Sequence, residues 1–116
     1  MTEYTFSAKS SSGVPYLVIF RIGATGGVSI RCNCQAGMFG KLCKHKIALL
    51  RGEADMLANT EQETELETLQ KIISTTDYPV LFQQIEQIET EIESAKRRIT
   101  KIKKSIETLM NTKETD

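Results

Sequence analysis

The sequence predicts an α+β protein whose two kinds of structure are segregated along the chain. A small N-terminal β-meander closed by one helix, a ββα-like arrangement, comes first, and an all-α helical hairpin or coiled-coil arm follows. Three observations point there. Apolar and polar residues alternate with period two between Tyr4 and Cys32; all three cysteines and the only histidine fall between Cys32 and His45; and apolar residues recur at alternating steps of four and three from Leu81 to Leu109.

Tyr4, Phe6 and Ala8 alternate with Thr5, Ser7 and Lys9, the pattern of a half-buried strand. Ser10 to Gly13 reads as a turn. Val14 to Ile22 is rich in branched and aromatic side chains, with Tyr16, Val18, Phe20 and Ile22 on one face and Leu17 and Ile19 on the other. It is expected as the central strand, covered on both sides. After the turn Gly23 to Gly27, Val28, Ile30 and Cys32 alternate with Ser29 and Arg31, so the third strand delivers its cysteine to the buried face. Ala36 to Gly40 is expected to cross over with Met38 and Phe39 capping the core. A helix from about Leu42 to Arg51 should stop at Gly52, which suits a left-handed C-cap.

Beyond Gly52 there is no further glycine, and Glu, Gln, Lys and Ile dominate. Thr60 to Glu63 fits a capping box opening a helix over 61–75, with Leu66, Leu69, Ile72 and Ile73 as its apolar stripe. Thr76 or Asp77 can cap a third helix in which Pro79 is tolerated because it lies in the first turn. In that helix Leu81, Ile85, Ile88, Ile92, Ala95, Ile99, Ile102, Ile106 and Leu109 form a heptad seam, with a at Ile85, Ile92, Ile99 and Ile106 and d at the rest. The competing reading is that the stripe packs on the rest of the same chain, but at 1.5 Å per residue this helix is roughly 45 Å long and its predecessor about 22 Å, so half the seam would lack a neighbour there. A homo-oligomer is expected, an antiparallel dimer in preference to a parallel one.

Cys32, Cys34, Cys43 and His45 make the pattern C-x-C-x8-C-x-H, two close pairs separated by one loop. Three thiolates and one imidazole are the number and type of ligands of a closed tetrahedral Zn2+ site. The competing reading is ordinary buried thiols beside a histidine at a helix start. A disulfide framework fits worse, because an odd cysteine count leaves one thiol over and no secretory signal is visible. The pattern resembles the SWIM-type zinc finger, whose ligands run C-x-C, a variable loop, C-x-H and then an apolar helix. Ser10 to Phe20 also resembles the segment that precedes the first ligand pair in that family. The resemblance spans about residues 4 to 52 and implies one structural Zn2+ per chain and a DNA-binding or protein-binding module. The expected organisation is a SWIM-type zinc finger domain over 1–52, a linker and short helix over 53–77, a long coiled-coil helix over 78–111 and a flexible tail over 112–116.

The formal net charge of zero hides segregation. Residues 1–52 carry +6, residues 53–95 carry −10 and residues 96–113 return to +6. No nucleophile elbow, Walker loop, dinucleotide fingerprint or deaminase signature is present, and no second histidine is available as a base, so no enzymatic activity is expected. Two readings stay open. One is a protein-binding adaptor or regulator on an oligomerising stalk. The other is a nucleic-acid-binding protein using Arg31, Lys41, Lys44 and Lys46 around the metal, or Lys96, Arg97, Arg98 and Lys101 on the long helix, although no aromatic side chains interleave with either set. The longest apolar run, Tyr16 to Phe20, is far too short to span a membrane. No membrane partner is expected, and the setting is expected to be soluble, intracellular and reducing: cytoplasmic, or nuclear in a eukaryote or virus.

Overall fold

A computed structural model describes residues 2–112 of the chain. Strands β1 (Thr2–Ala8), β2 (Tyr16–Ile22) and β3 (Val28–Cys32) form an antiparallel sheet in the order β1-β2-β3. Four α-helices follow among the described residues: α1 (Gln35–Met38), α2 (Lys44–Leu50), α3 (Glu63–Ile73) and α4 (Tyr78–Met110). The fold is therefore α+β, strands first. The chain divides between Pro79 and Val80 into two compact units.

In the first unit the register sets Phe6 opposite Val18, Val18 opposite Cys32, and Phe20 opposite Ile30. Residues paired across antiparallel strands share a face, so the period-two apolar set of all three strands lies on one side of the sheet. Phe6, Val18 and Phe20 are fully buried there, with the two phenylalanine rings edge to face at 5.8 Å between centroids. α2 packs against β3 and α3. Ala48, Leu49 and Leu50 of α2, Leu57 of the connection, and Leu66, Leu69 and Ile73 of α3 complete the core. The helix ends where expected: Gly52 adopts φ +73°, the left-handed C-terminal position.

Four expectations need correction. β2 is not covered on both sides, since the helices pack on one face only, leaving Leu17 45% exposed and Ile19 half-buried on the other. Met38 and Phe39 do not cap the core; the helical turn α1 directs them outward, 71% and 76% exposed. The helix expected from Leu42 starts at Lys44, with Cys43 as its N-cap. The capping box at Thr60 does not form.

At that last place Asn59 caps instead, its Oδ1 accepting from the Glu61 amide at 3.0 Å, and a 3-10 turn over Thr60–Gln62 precedes α3. Gln62 is turned towards β1: its Oε1 accepts from the Ser7 amide at 2.9 Å, and its Nε2 donates to the Thr5 carbonyl at 3.1 Å. Beside it the Ala58 amide donates to the Ser7 carbonyl, and the Lys9 amide to the Met56 carbonyl. The outer edge of β1 from Thr5 onward is thereby satisfied by main chain and by one glutamine, which protects that stretch from strand addition.

α4 by itself is 33 residues long, and none of them is buried. Before it, the Thr76 hydroxyl accepts from the Tyr78 amide, and the Tyr78 hydroxyl donates to the Val28 carbonyl at 2.6 Å. From residue 113 on, the expected tail lies outside the described residues.

Candidate metal centre

β3 ends at Cys32, and Asn33 fastens the sheet just beyond it. The Asn33 amide donates to the Leu17 carbonyl at 3.2 Å, and its Oδ1 accepts from the Leu17 amide at 2.9 Å. This fixes the chain between the first two cysteines. Cys34 then caps α1 and Cys43 caps α2: the Gly37 amide donates to Cys34 Sγ at 3.2 Å, and the Lys46 amide to Cys43 Sγ at 3.4 Å. Each sulfur therefore receives a backbone N–H, the interaction that stabilises a thiolate.

The loop between the ligand pairs is held against the site at two points. Gly37 comes so close to Cys32 that a Cβ there would lie 2.6 Å from both Cys32 Cβ and the Cys32 carbonyl oxygen. Only glycine fits. Lys46, 5% exposed, folds its ammonium back onto the loop and donates to the carbonyls of Lys41 at 2.9 Å and Gly37 at 3.4 Å.

The side chains of Cys32, Cys34, Cys43 and His45 converge, all four buried, with their donor atoms within 4.8 Å of one another. The cysteines are free thiols. His45 turns Nδ1 towards Cys32 Sγ at 3.8 Å, while its Nε2 is buried without a hydrogen-bond partner. With Zn–S near 2.3 Å and Zn–N near 2.0 Å, the edges of a tetrahedral site are about 3.5 to 3.8 Å, so the cluster needs only a slight contraction to close on an ion. Nδ1 of His45, the nitrogen that faces the thiols, is the one placed to ligate. Tyr16 lies against the His45 ring, tilted by 56° with 4.9 Å between centroids. By donor type, spacing and burial the group could hold a metal ion, and the set suits Zn2+.

The electrostatics of the metal-free cluster agree. Burial pushes the Cys32 thiol up to about 12, with the Cys34 and Cys43 sulfurs adding to the rise. At Cys34 burial also acts upward, but the Gly37 amide and hydrogen bonds with the Cys32 and Cys43 thiols outweigh it, and the net shift is down. Burial lowers His45, helped by the charge of Lys44; a backbone interaction with Lys9 works weakly the other way. Three sulfurs this close cannot all ionise without a cation among them, and an imidazole kept neutral is in the form that binds one.

The cationic residues singled out from sequence do not form one surface. Arg31, Lys41 and Lys44 are exposed around the cluster, whereas Lys46 is buried and its ammonium is engaged by carbonyls, so it is a strut of the site. Lys96, Arg97, Arg98 and Lys101 are exposed on α4. Arg31 borders a shallow groove of about 600 Å³ on the open face of the sheet, lined also by Leu17, Ile19, Asn33 and Met38. Asn33, Gly37 and the inward turn of Lys46 are the site features that the sequence reading missed. The glycine immediately before the Met38-Phe39 pair is the one signal in the sequence that points to a close approach. No family model, curated protein or solved structure matches the chain.

Proposed function

We propose that residues 2–79 form a zinc-organised module of the SWIM type, without catalytic activity, which acts as a protein-binding adaptor or regulator carried on an oligomerising coiled-coil helix. The observation that carries this reading is the contrast between the closed site and the surface beside it. Four protein donors fill a tetrahedral Zn2+ and leave no position for a substrate or an activated water, which is the arrangement of structural zinc. The same loop that closes the site holds Met38, Phe39 and Leu42 71%, 76% and 61% exposed, and Met38 lines the groove together with Leu17. Apolar surface gathered at one place, bordered by Arg31 and Lys41, suits an apolar segment with flanking acidic residues.

Two measurements test this. Metal analysis of reduced protein is expected to give one zinc per chain; less than half an equivalent, or a Cys34→Ser variant that keeps both zinc and fold, counts against the metal part. Selection of random displayed peptides on the zinc-loaded protein is expected to enrich apolar and acidic residues and to lose that enrichment with Phe39→Asp. Peptides with no such bias, or no dependence on Phe39, remove the adaptor reading.

A second reading has one observation in its favour. Phe39 is 76% exposed and stands two residues before the exposed Lys41, an aromatic side chain beside a cation such as single-stranded nucleic acid uses. Binding to an unstructured oligonucleotide that falls steeply between low and physiological salt supports it, and no binding at low salt excludes it.

A further inference from the structure

The apolar seam of α4 has no cover. Ile85, the best shielded of its isoleucines, is 42% exposed, and Ile102 is 61% exposed. A continuous branched-aliphatic stripe on a helix of this length is the surface that a second helix buries. We infer that α4 forms an antiparallel two-stranded coiled coil with a second copy of this chain, in the one register that sets Ile92 against the partner's Ala95. This deepens the stalk part of the function proposed above and is independent of its zinc part.

Four features of the helix choose this arrangement. The first is packing. In the proposed register Leu81 meets the partner's Ile106, Ile85 the partner's Ile102, and Ile88 the partner's Ile99, while each Ala95 is filled by an Ile92 across the two-fold axis. A parallel pair would instead stack Ala95 on the partner's Ala95 and leave a void in the middle of the seam. The second is side-chain branching: isoleucine at both a and d is a poor fit to a parallel two-stranded coil, which prefers leucine at d.

The third is charge. Antiparallel helices bring e positions against e and g against g, so Glu89 lies beside the partner's Lys96 and Glu91 beside the partner's Arg98, each contact occurring twice by symmetry. In the parallel alternative Arg98 would face the partner's Lys103. The fourth is that slipping by one heptad is punished in both directions. One slip sets Glu89 against the partner's Glu89 and Glu91 against the partner's Glu91; the other sets Lys96 against the partner's Lys96 and Arg98 against the partner's Arg98. The acidic and basic halves of α4 therefore specify orientation and register together, and the register they select is the one of full overlap. Lys96 also lies 3.7 Å from Glu93 on its own helix, an exposed contact weak enough to give way to the partner's Glu89. The amino ends of the two helices, to which the zinc modules are joined, then lie at opposite ends of a rod about 50 Å long.

Sedimentation equilibrium of the full zinc-loaded chain, with helicity and zinc content followed in every variant, tests the proposal. The expected result is a dimer at tens of micromolar. Glu89→Lys is expected to raise the dissociation constant by about tenfold, because two attractive contacts become repulsive. Adding Lys96→Glu to the same chain is expected to restore wild-type affinity, since those two positions face each other only in the antiparallel form. A trimer, or a dimer that ignores Glu89→Lys and is weakened by Lys96→Glu without rescue in the double variant, overturns the orientation. A monomer overturns the stalk as well, while an unchanged zinc content in that monomer leaves the module's reading standing.

Discussion

Lys46 is the residue whose role differs most from its appearance in the sequence. A lysine one place after a ligating histidine reads as one more surface cation in a basic stretch, and no local pattern marks it as buried. The fold buries it because its amide must cap Cys43 at the first turn of α2, which aims the side chain back across the ligand loop to the carbonyls of Gly37 and Lys41. Three thiolates around Zn2+ leave a charge of −1, so a buried ammonium close by both ties the loop and offsets that charge. Lys46→Met removes these bonds while keeping the stem, and should cost roughly 1 to 3 kcal/mol, read as a lower midpoint in chelator titration and a lower melting temperature. Lys44→Met, a change at the exposed neighbour, should move neither by more than about 0.5 kcal/mol. Protonation gives a second expectation at this scale. Because Cys32 is held up at about 12 in the metal-free cluster, zinc uptake at neutral pH must displace its proton. Zinc affinity should therefore rise with pH, and calorimetry in buffers of different ionisation enthalpy should register proton release. A proton count of zero on zinc binding would show that the cluster is already ionised.

At the scale of elements, the strands were legible because one buried face imposes period two, and the two close pairs because they use every cysteine and the only histidine of the chain. The boundary at Thr60 was not legible. A capping box and a 3-10 turn with a glutamine bridge share the same residues, and the choice between them depends on β1, which lies far away in sequence. The outcome changes what α3 is for. Gln62 bonds to Thr5 and Ser7, and Gln70 Nε2 donates to the Leu49 and Leu50 carbonyls at 3.1 and 3.0 Å, closing the C-terminal end of α2 where Gly52 turns the chain. A Cβ at Gly52 would meet the Gln70 side chain at 2.8 Å and sit at positive φ, so Gly52→Ala should destabilise by about 1 to 3 kcal/mol. With Leu66, Leu69 and Ile73 buried in the same core, α3 belongs to the metal module in energetic terms. Chelation should accordingly release residues 2–76 as one cooperative unit. Hydrogen exchange after zinc removal is expected to expose α2 and α3 amides at the same rate; an α3 that stays protected while the sheet exchanges would show that it folds without the metal.

At the scale of the whole chain, the two units draw their stability from different sources, and this sets how the protein responds to conditions. The first has a small core, and for cores of this size a bound zinc, worth an apparent ~10 to 16 kcal/mol in zinc-finger peptides, is comparable with or larger than the folding free energy of the domain itself. In the second, no residue of α4 is buried, and in the dimer proposed above its stability would come from the partner, so that mass action would govern it. Heating should then show two transitions with crossed sensitivities. The transition of residues 2–76 should fall sharply with chelator and stay fixed as protein concentration changes. The transition of α4 should rise by several degrees over a hundredfold increase in concentration and ignore the chelator. Salt separates them further, because the contacts of Glu89 and Glu91 are exposed and screened over about 10 Å at 0.1 M, while the buried cluster is not. Raising salt should weaken the charge-reversed Glu89→Lys dimer less than the wild type, since screening removes repulsion in one and attraction in the other. Circular dichroism melts across a concentration and chelator grid resolve this. A single transition that responds to both would mean that the helix and the metal module fold as one body, and would assign the seam to the chain's own first unit.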